Sequence, residues 1–154
     1  MSKNIIKRVN DKRIDELELK MATEYPMVDC PLVHRFTKGM YIREIFMPKG
    51  TLVTSKIHKT QHPFTVSKGV VSVKIDSGDW VTIEAPYTGI TEAGTRRVLL
   101  IHEDCVWTTY HINKDNCQDI EKIEDRLLYK YVNKLLKKTK TSNLREEDKR
   151  RLRL

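Results

Sequence analysis

"GTLVTSKIHKTQHPFTVSKG", from Gly50 to Gly69, is the stretch on which the reading of this chain depends. It holds two of the five histidines, His58 and His62, four residues apart and followed by Pro63. Residues of equal parity share one face of a strand, so Lys56 and His58 lie together. His62, Phe64 and Val66 continue that face if the intervening turn keeps register. The two histidines are then a metal site, a substrate-handling pair, or polar filling in a small barrel.

On either side of this stretch, from Leu32 to Ile112, short alternating runs are divided by turn residues. "MYIREIF", "VVSVKI", "WVTIEA" and "VWTTYHI" are separated by Lys38-Gly39, Pro48-Lys49-Gly50, Lys68-Gly69, Ser77-Gly78 and Ala93-Gly94. Runs rich in Val, Ile, Thr and Tyr, punctuated at near-regular intervals, predict an all-β sandwich or barrel. "IDSGDW" is a hairpin turn, because Gly78 accepts positive φ. Alternation puts Tyr41, Arg43, Ile45 and Met47 on one face of their strand. On the last strand Trp107, Thr109 and His111 share a face, opposite Val106, Thr108 and Tyr110.

The flanks differ in pattern, which divides the chain into 1–31, 32–115 and 116–154. In the N-terminal arm, Asn10 or Asp11 can cap a helix carrying Ile14, Leu17 and Met21, and Pro26 and Pro31 end it. After Asn116, apolar residues recur at helical spacing: Ile120, Ile123, Leu127, Leu128, Tyr131, Val132, Leu135 and Leu136. That stripe predicts a C-terminal amphipathic helix packed on its own barrel or on a second copy. A further short helix is expected from Leu144, with Asn143 and Glu146 as a capping box. Lys134 to Leu154 hold nine Lys or Arg against three acids, +6 of the chain's +8, so the basic character belongs to the tail.

The chain has 154 residues, 39% hydrophobic and 32% charged, enough for one domain with a core and an extension. No window reaches the eighteen consecutive apolar residues of a membrane span, and the N-terminus lacks a secretory apolar region. The expected location is the cytoplasm. Cys30, Cys105 and Cys117 are odd in number and widely spaced, which argues against a disulfide framework or a cysteine zinc site.

These residues resemble the cupin superfamily of RmlC-like jelly rolls. Anchored on Gly69, the position of the usual glutamate of the first cupin motif falls on His62, the second histidine on His58, and the first on Lys56. In "EAGTRRVLLI" the second motif's turn is matched by Gly94, with Arg97 at the histidine position and Ile101 at the asparagine position. The resemblance covers about residues 32–112 and implies a single jelly-roll barrel. The longer wording is similar to small phage- and prophage-encoded cupins, which implies a host cytoplasm.

Two functional readings follow. His58, His62 and His111 could hold Zn²⁺, Fe²⁺ or Mn²⁺ through neutral imidazoles. Alternatively, Arg97, Arg43 and Lys56 could line a metal-free pocket for an anionic or polar ligand, with Tyr41, Trp107 and His111 beside it. Substituted motif positions favour a non-catalytic binding protein. The enzyme alternative uses His58 and His62, as a metal catalyst or as an epimerase-like base needing Tyr41 or Tyr110 as acid. Arg97 could instead pair with Glu44 or Glu84 inside the barrel, and His34 and His102 read as ordinary polar residues. A homo-oligomer through the barrel or the C-terminal helix is expected. Nucleic-acid binding by the basic tail is the lesser reading, since no aromatic residues interleave it.

Overall fold

The alternating segments between Leu32 and Asn113 form seven antiparallel strands: β1 (Leu32–Thr37), β2 (Gly39–Met47), β3 (Leu52–Thr54), β4 (His62–Ile75), β5 (Trp80–Glu84), β6 (Tyr87–Thr91) and β7 (Arg97–Asn113). The structure is a computed structural model and describes residues 11–75, 78–131 and 133–138. The order is β1-β2-β7-β4-β5, with β3 added to β7 and β6 to β4. The all-β expectation is what the chain adopts. Ser77 of the expected "IDSGDW" turn lies outside the described residues.

Two long strands carry the architecture. The first part of β4 pairs with β6 from His62↔Thr91 to Val66↔Tyr87, and the later part with β5 from Val70↔Glu84 to Lys74↔Trp80. β7 pairs with β2 along one half and with β3 along the other. Between Val66 and Val71 the β4–β7 register shifts, and the sheet bends there. Gly69 sits in that irregularity at φ +96°, and a Cβ on it would lie 2.8 Å from the Cα of Cys105. Only glycine fits. Because the sheet folds over itself, Met47, Phe64, Val71, Ile83, Leu99 and Trp107 from four strands meet in one core cluster.

Helix α1 (Lys12–Glu24) starts at Asp11, whose side chain accepts the Arg13 N–H at 3.1 Å. Its inward face is unusual, since Asp15 and Glu18 are buried beside Ile14. Their partner is Arg96, fully buried, with Nη1 2.9 Å from Asp15 Oδ1 and Nη2 3.0 Å from Glu18 Oε1. The Tyr131 ring lies 4.6 Å from the Arg96 guanidinium, and its hydroxyl donates to Asp15 at 2.6 Å. Asn133 donates to Glu18 at 2.9 Å. Helix α1 and the segment around Tyr131 and Asn133 thus meet at Arg96 and its two acids.

The continuous C-terminal helix expected from the apolar stripe is not formed. Instead α2 (Ile120–Leu127) ends at Leu128, which is extended and makes a β-bridge with His58, and α3 (Lys134–Lys138) follows. The break has a tertiary cause. Lys59 N–H donates to Leu127 O at 2.7 Å, and Tyr129 N–H donates to Ile57 O at 2.9 Å, so residues 127–129 serve as a strand partner for residues 57–59. Asn133 then restarts the helix by accepting the Leu135 and Leu136 N–H groups at 3.0 and 3.4 Å. The helix expected from Leu144 and most of the basic tail lie outside the described residues. Among the described residues, no helix is long and apolar enough to cross a membrane.

Candidate functional site

The β2–β7 register sets the site. Tyr41 stands opposite His111, Arg43 opposite Thr109, Ile45 opposite Trp107, and Met47 opposite Cys105. Period-two alternation sends all eight to the same face, so that face grades from polar at Tyr41 and His111 to apolar at Met47 and Cys105. Adjacent β4 adds His62 and Phe64 to this interior, both buried. The segment before β4 brings His58, which is held by the Leu128 bridge and by the Gly94 N–H donating to its carbonyl at 2.8 Å. A cavity of about 720 Å³ opens among these residues, roofed by α1 and residues 25–32.

His58, His62 and His111 converge. Their ring centroids are 4.3 Å (His58–His62), 4.6 Å (His62–His111) and 5.1 Å (His58–His111) apart, and one ring nitrogen from each lies within 4.8 Å of the others. His62 Nδ1 is 3.1 Å from the Thr60 carbonyl, which can only accept, so Nδ1 carries the proton and Nε2 keeps its lone pair. His111 Nε2 is 2.9 Å from Thr109 Oγ1, while its buried Nδ1 has no hydrogen-bond partner. Burial pulls the His111 pKa down to about 3, helped by His62 and Arg43. Burial lowers His62 as well. Both rings are therefore neutral at neutral pH.

Two arginines face the same space. Arg97 is only 8% exposed, and its guanidinium lies 5.1 Å from the Phe64 ring and 5.6 Å from that of Trp107. Those rings stack at 4.4 Å, forming an aromatic shelf. Burial lowers the Arg97 pKa to about 10, so it remains a cation at neutral pH. Burial also lowers Arg43, which is half-buried. Among the described residues, no carboxylate lies within ion-pair distance of either guanidinium. The pairing of Arg97 with Glu44 or Glu84 does not occur: Glu44 holds Arg35 at 3.0 Å, and Glu84 is exposed. Arg96, the residue before β7, takes Asp15 and Glu18 instead.

The other named residues are placed differently. Lys56 lines the cavity, but its ammonium is 2.9 Å from Glu124 of α2. Tyr41 is buried against His111, and its hydroxyl is 2.7 Å from His34 Nδ1 rather than among the three histidines. Burial pushes its pKa up to about 12, so it stays a phenol. Tyr110, on the outer face of β7, is 3.4 Å from Thr65 Oγ1. His102 is 2.6 Å from Ser72 Oγ, and Ile101 belongs to the core. Sequence reasoning missed Arg96 and its acids, Thr109 behind His111, and the α1 roof.

No family model matches the chain, and no curated protein matches it. Solved structures are similar to it over part of the chain. An uncharacterised protein from Klebsiella pneumoniae with a double-stranded β-helix domain is 14% identical, with 62% of this chain and 90% of that one covered, at a TM-score of 0.49. An RmlC-like cupin family protein from Methanocaldococcus jannaschii is 9% identical over 59% and 88%, at 0.45. A cupin-2 domain protein from Shewanella frigidimarina is 11% identical over 63% and 92%, at 0.44. None of these likenesses carries a ligand or a reaction to this chain.

Proposed function

We propose that this chain is a cupin-like binding protein whose cavity holds a small anionic ligand on Arg97 and Arg43. One observation carries the reading: the nearly buried Arg97 guanidinium lines the cavity with no described carboxylate at ion-pair distance, since Glu18, which lines the same cavity, is bound to Arg96. A buried charge without a partner costs several kcal/mol, and a ligand anion would offset that. Neutral His62, with its Nδ1–H committed to Thr60, offers Nε2 as an acceptor for a ligand hydroxyl. A non-catalytic role is favoured because Tyr41, the buried candidate acid, spends its hydroxyl on His34. The test is thermal denaturation with increasing inorganic phosphate or acetate. Wild type should show a saturable rise that Arg97→Gln lacks while keeping its circular dichroism spectrum. Equal rises in both would overturn the reading.

A second reading rests on the orphaned, buried Nδ1 of His111. The donor set fits a divalent ion: three imidazoles, two of them held neutral by burial and one with its tautomer fixed by a backbone carbonyl. His58, His62 and His111 would hold the metal, which would supply a Lewis acid beside the anion site. Equilibrium dialysis against Zn²⁺, Fe²⁺ and Mn²⁺ tests this. About one ion per chain, lost in His62→Ala, is expected, and less than about a tenth would count against it.

A further inference from the structure

The cavity is larger and more apolar than two cations and a small inorganic anion require. Its roof brings Leu17 and Met21 from α1 and Met27 from the following segment, facing Leu52 of β3 and Leu99 of β7. Its rim is apolar and open to solvent: Tyr25 is 59% exposed, Val28 40% and Leu32 41%, and all three line the cavity. Along β2 the lining passes from Arg43 through Ile45 to Met47. At about 3.4 Å per residue, that is an apolar path of roughly 14 Å away from Arg43. A solvated inorganic ion would leave this path filled with water against methionine and leucine side chains, which is unfavourable. Unbranched, polarizable methionines suit an occupant of variable shape.

We infer that the ligand is an amphipathic organic anion: a carboxylate head held by Arg97 and Arg43, and a medium-length apolar body lying between α1 and β3. This inference rests on the anion-binding reading above and adds the body to the head. The head is a planar carboxylate because the guanidinium presents two parallel N–H donors that match it. The body is aliphatic or a simple aryl chain because Leu17, Met21, Met27, Leu52 and Leu99 line the wall it would lie against.

The experiment is calorimetric titration of the full-length chain with acetate, butanoate, hexanoate and octanoate, and with phosphate and octan-1-ol as controls. Each methylene that enters the apolar path should tighten binding about fourfold, the factor corresponding to ~0.8 kcal/mol. Octan-1-ol, which lacks the charge, should bind at least about tenfold more weakly than octanoate, in keeping with the strength of charge-assisted hydrogen bonds. Leu17→Ser with Met21→Ser should flatten the chain-length series, and a matched thermal melt shows that the double variant is folded. If acetate, phosphate and octanoate bind alike, the amphipathic inference is overturned and the anion site stands. If octan-1-ol matches octanoate, the carboxylate head is overturned. If none of the anions binds, the anion-binding reading fails and takes this inference with it.

Discussion

Replacing Arg97 with methionine should make the unliganded protein more stable while removing its anion binding. Arg97 is 8% exposed, and burial alone drives its pKa from 12.5 to about 10. At ~1.4 kcal/mol per unit, holding the cation in place costs ~3 kcal/mol at neutral pH. Losing the cation's contact with the Phe64 and Trp107 rings gives back ~2 kcal/mol, of which a thioether packed on the same rings recovers ~1 kcal/mol. The net gain for Arg97→Met is therefore ~2 kcal/mol. For a chain of this size each kcal/mol moves Tm by about 2–4 °C, so the midpoint should rise by about 4–8 °C. The assay is calorimetric unfolding at pH 7.5 in buffer free of carboxylate and phosphate, repeated with octanoate. Wild type should gain stability on adding the anion and the variant should not. Destabilisation of Arg97→Met by ~1 kcal/mol or more without ligand would show that Arg97 serves a native contact, and would refute the reasoning.

Gly69→Ala should cost at least ~2 kcal/mol in urea denaturation, because its φ of +96° and the nearby Cys105 backbone leave no place for a Cβ; a loss under ~0.5 kcal/mol would contradict the bend described at this position. The histidines set an acid limit. Unfolded chains protonate near pH 6.5, whereas folded His111 resists to about 3, so stability should be full above about 6.5 and fall as pH drops toward 3. The slope within that window is up to ~1.4 kcal/mol per pH unit from this group, and His111→Gln should flatten it in urea melts at pH 7.5, 6 and 5; an unchanged slope would contradict the assignment. Arg96→Ala should lose ~3–5 kcal/mol by stranding buried Asp15 and Glu18. Adding Asp15→Leu and Glu18→Leu should recover much of that loss, and failure to recover any would argue that the ion pairs are not its source.

The strands were legible because their period is two and their turns are marked by glycine. That periodicity put Tyr41 with Arg43 on one face of their strand and Trp107 with Thr109 and His111 on one face of theirs, and the β2–β7 register then joins the two faces. It also brought His62 into line with Phe64 and Val66, all three buried. The C-terminal half was misread for a physical reason. Leu127, Leu128 and Tyr131 fit a helical stripe, yet the unpaired edge of residues 57–59 needed hydrogen-bond partners, and that tertiary demand overrode local propensity. Asp15 and Glu18 look like the solvated face of α1 until Arg96 is seen opposite them. Charge pairs across more than seventy residues leave no local trace. The same blindness left Arg97 open to pairing with Glu44 or Glu84, whereas Arg96, just before β7, is the arginine that takes acids.

Central to all of this is a cation in the cavity that awaits an anion. The most direct measurement is a crystal structure of the full-length protein grown with octanoate. The carboxylate oxygens are expected about 2.7–2.9 Å from the Arg97 guanidinium, with the chain running beneath α1 past Met21 and Leu52. An aspartate or glutamate of the protein itself bound to Arg97, with the cavity filled only by water, would contradict it.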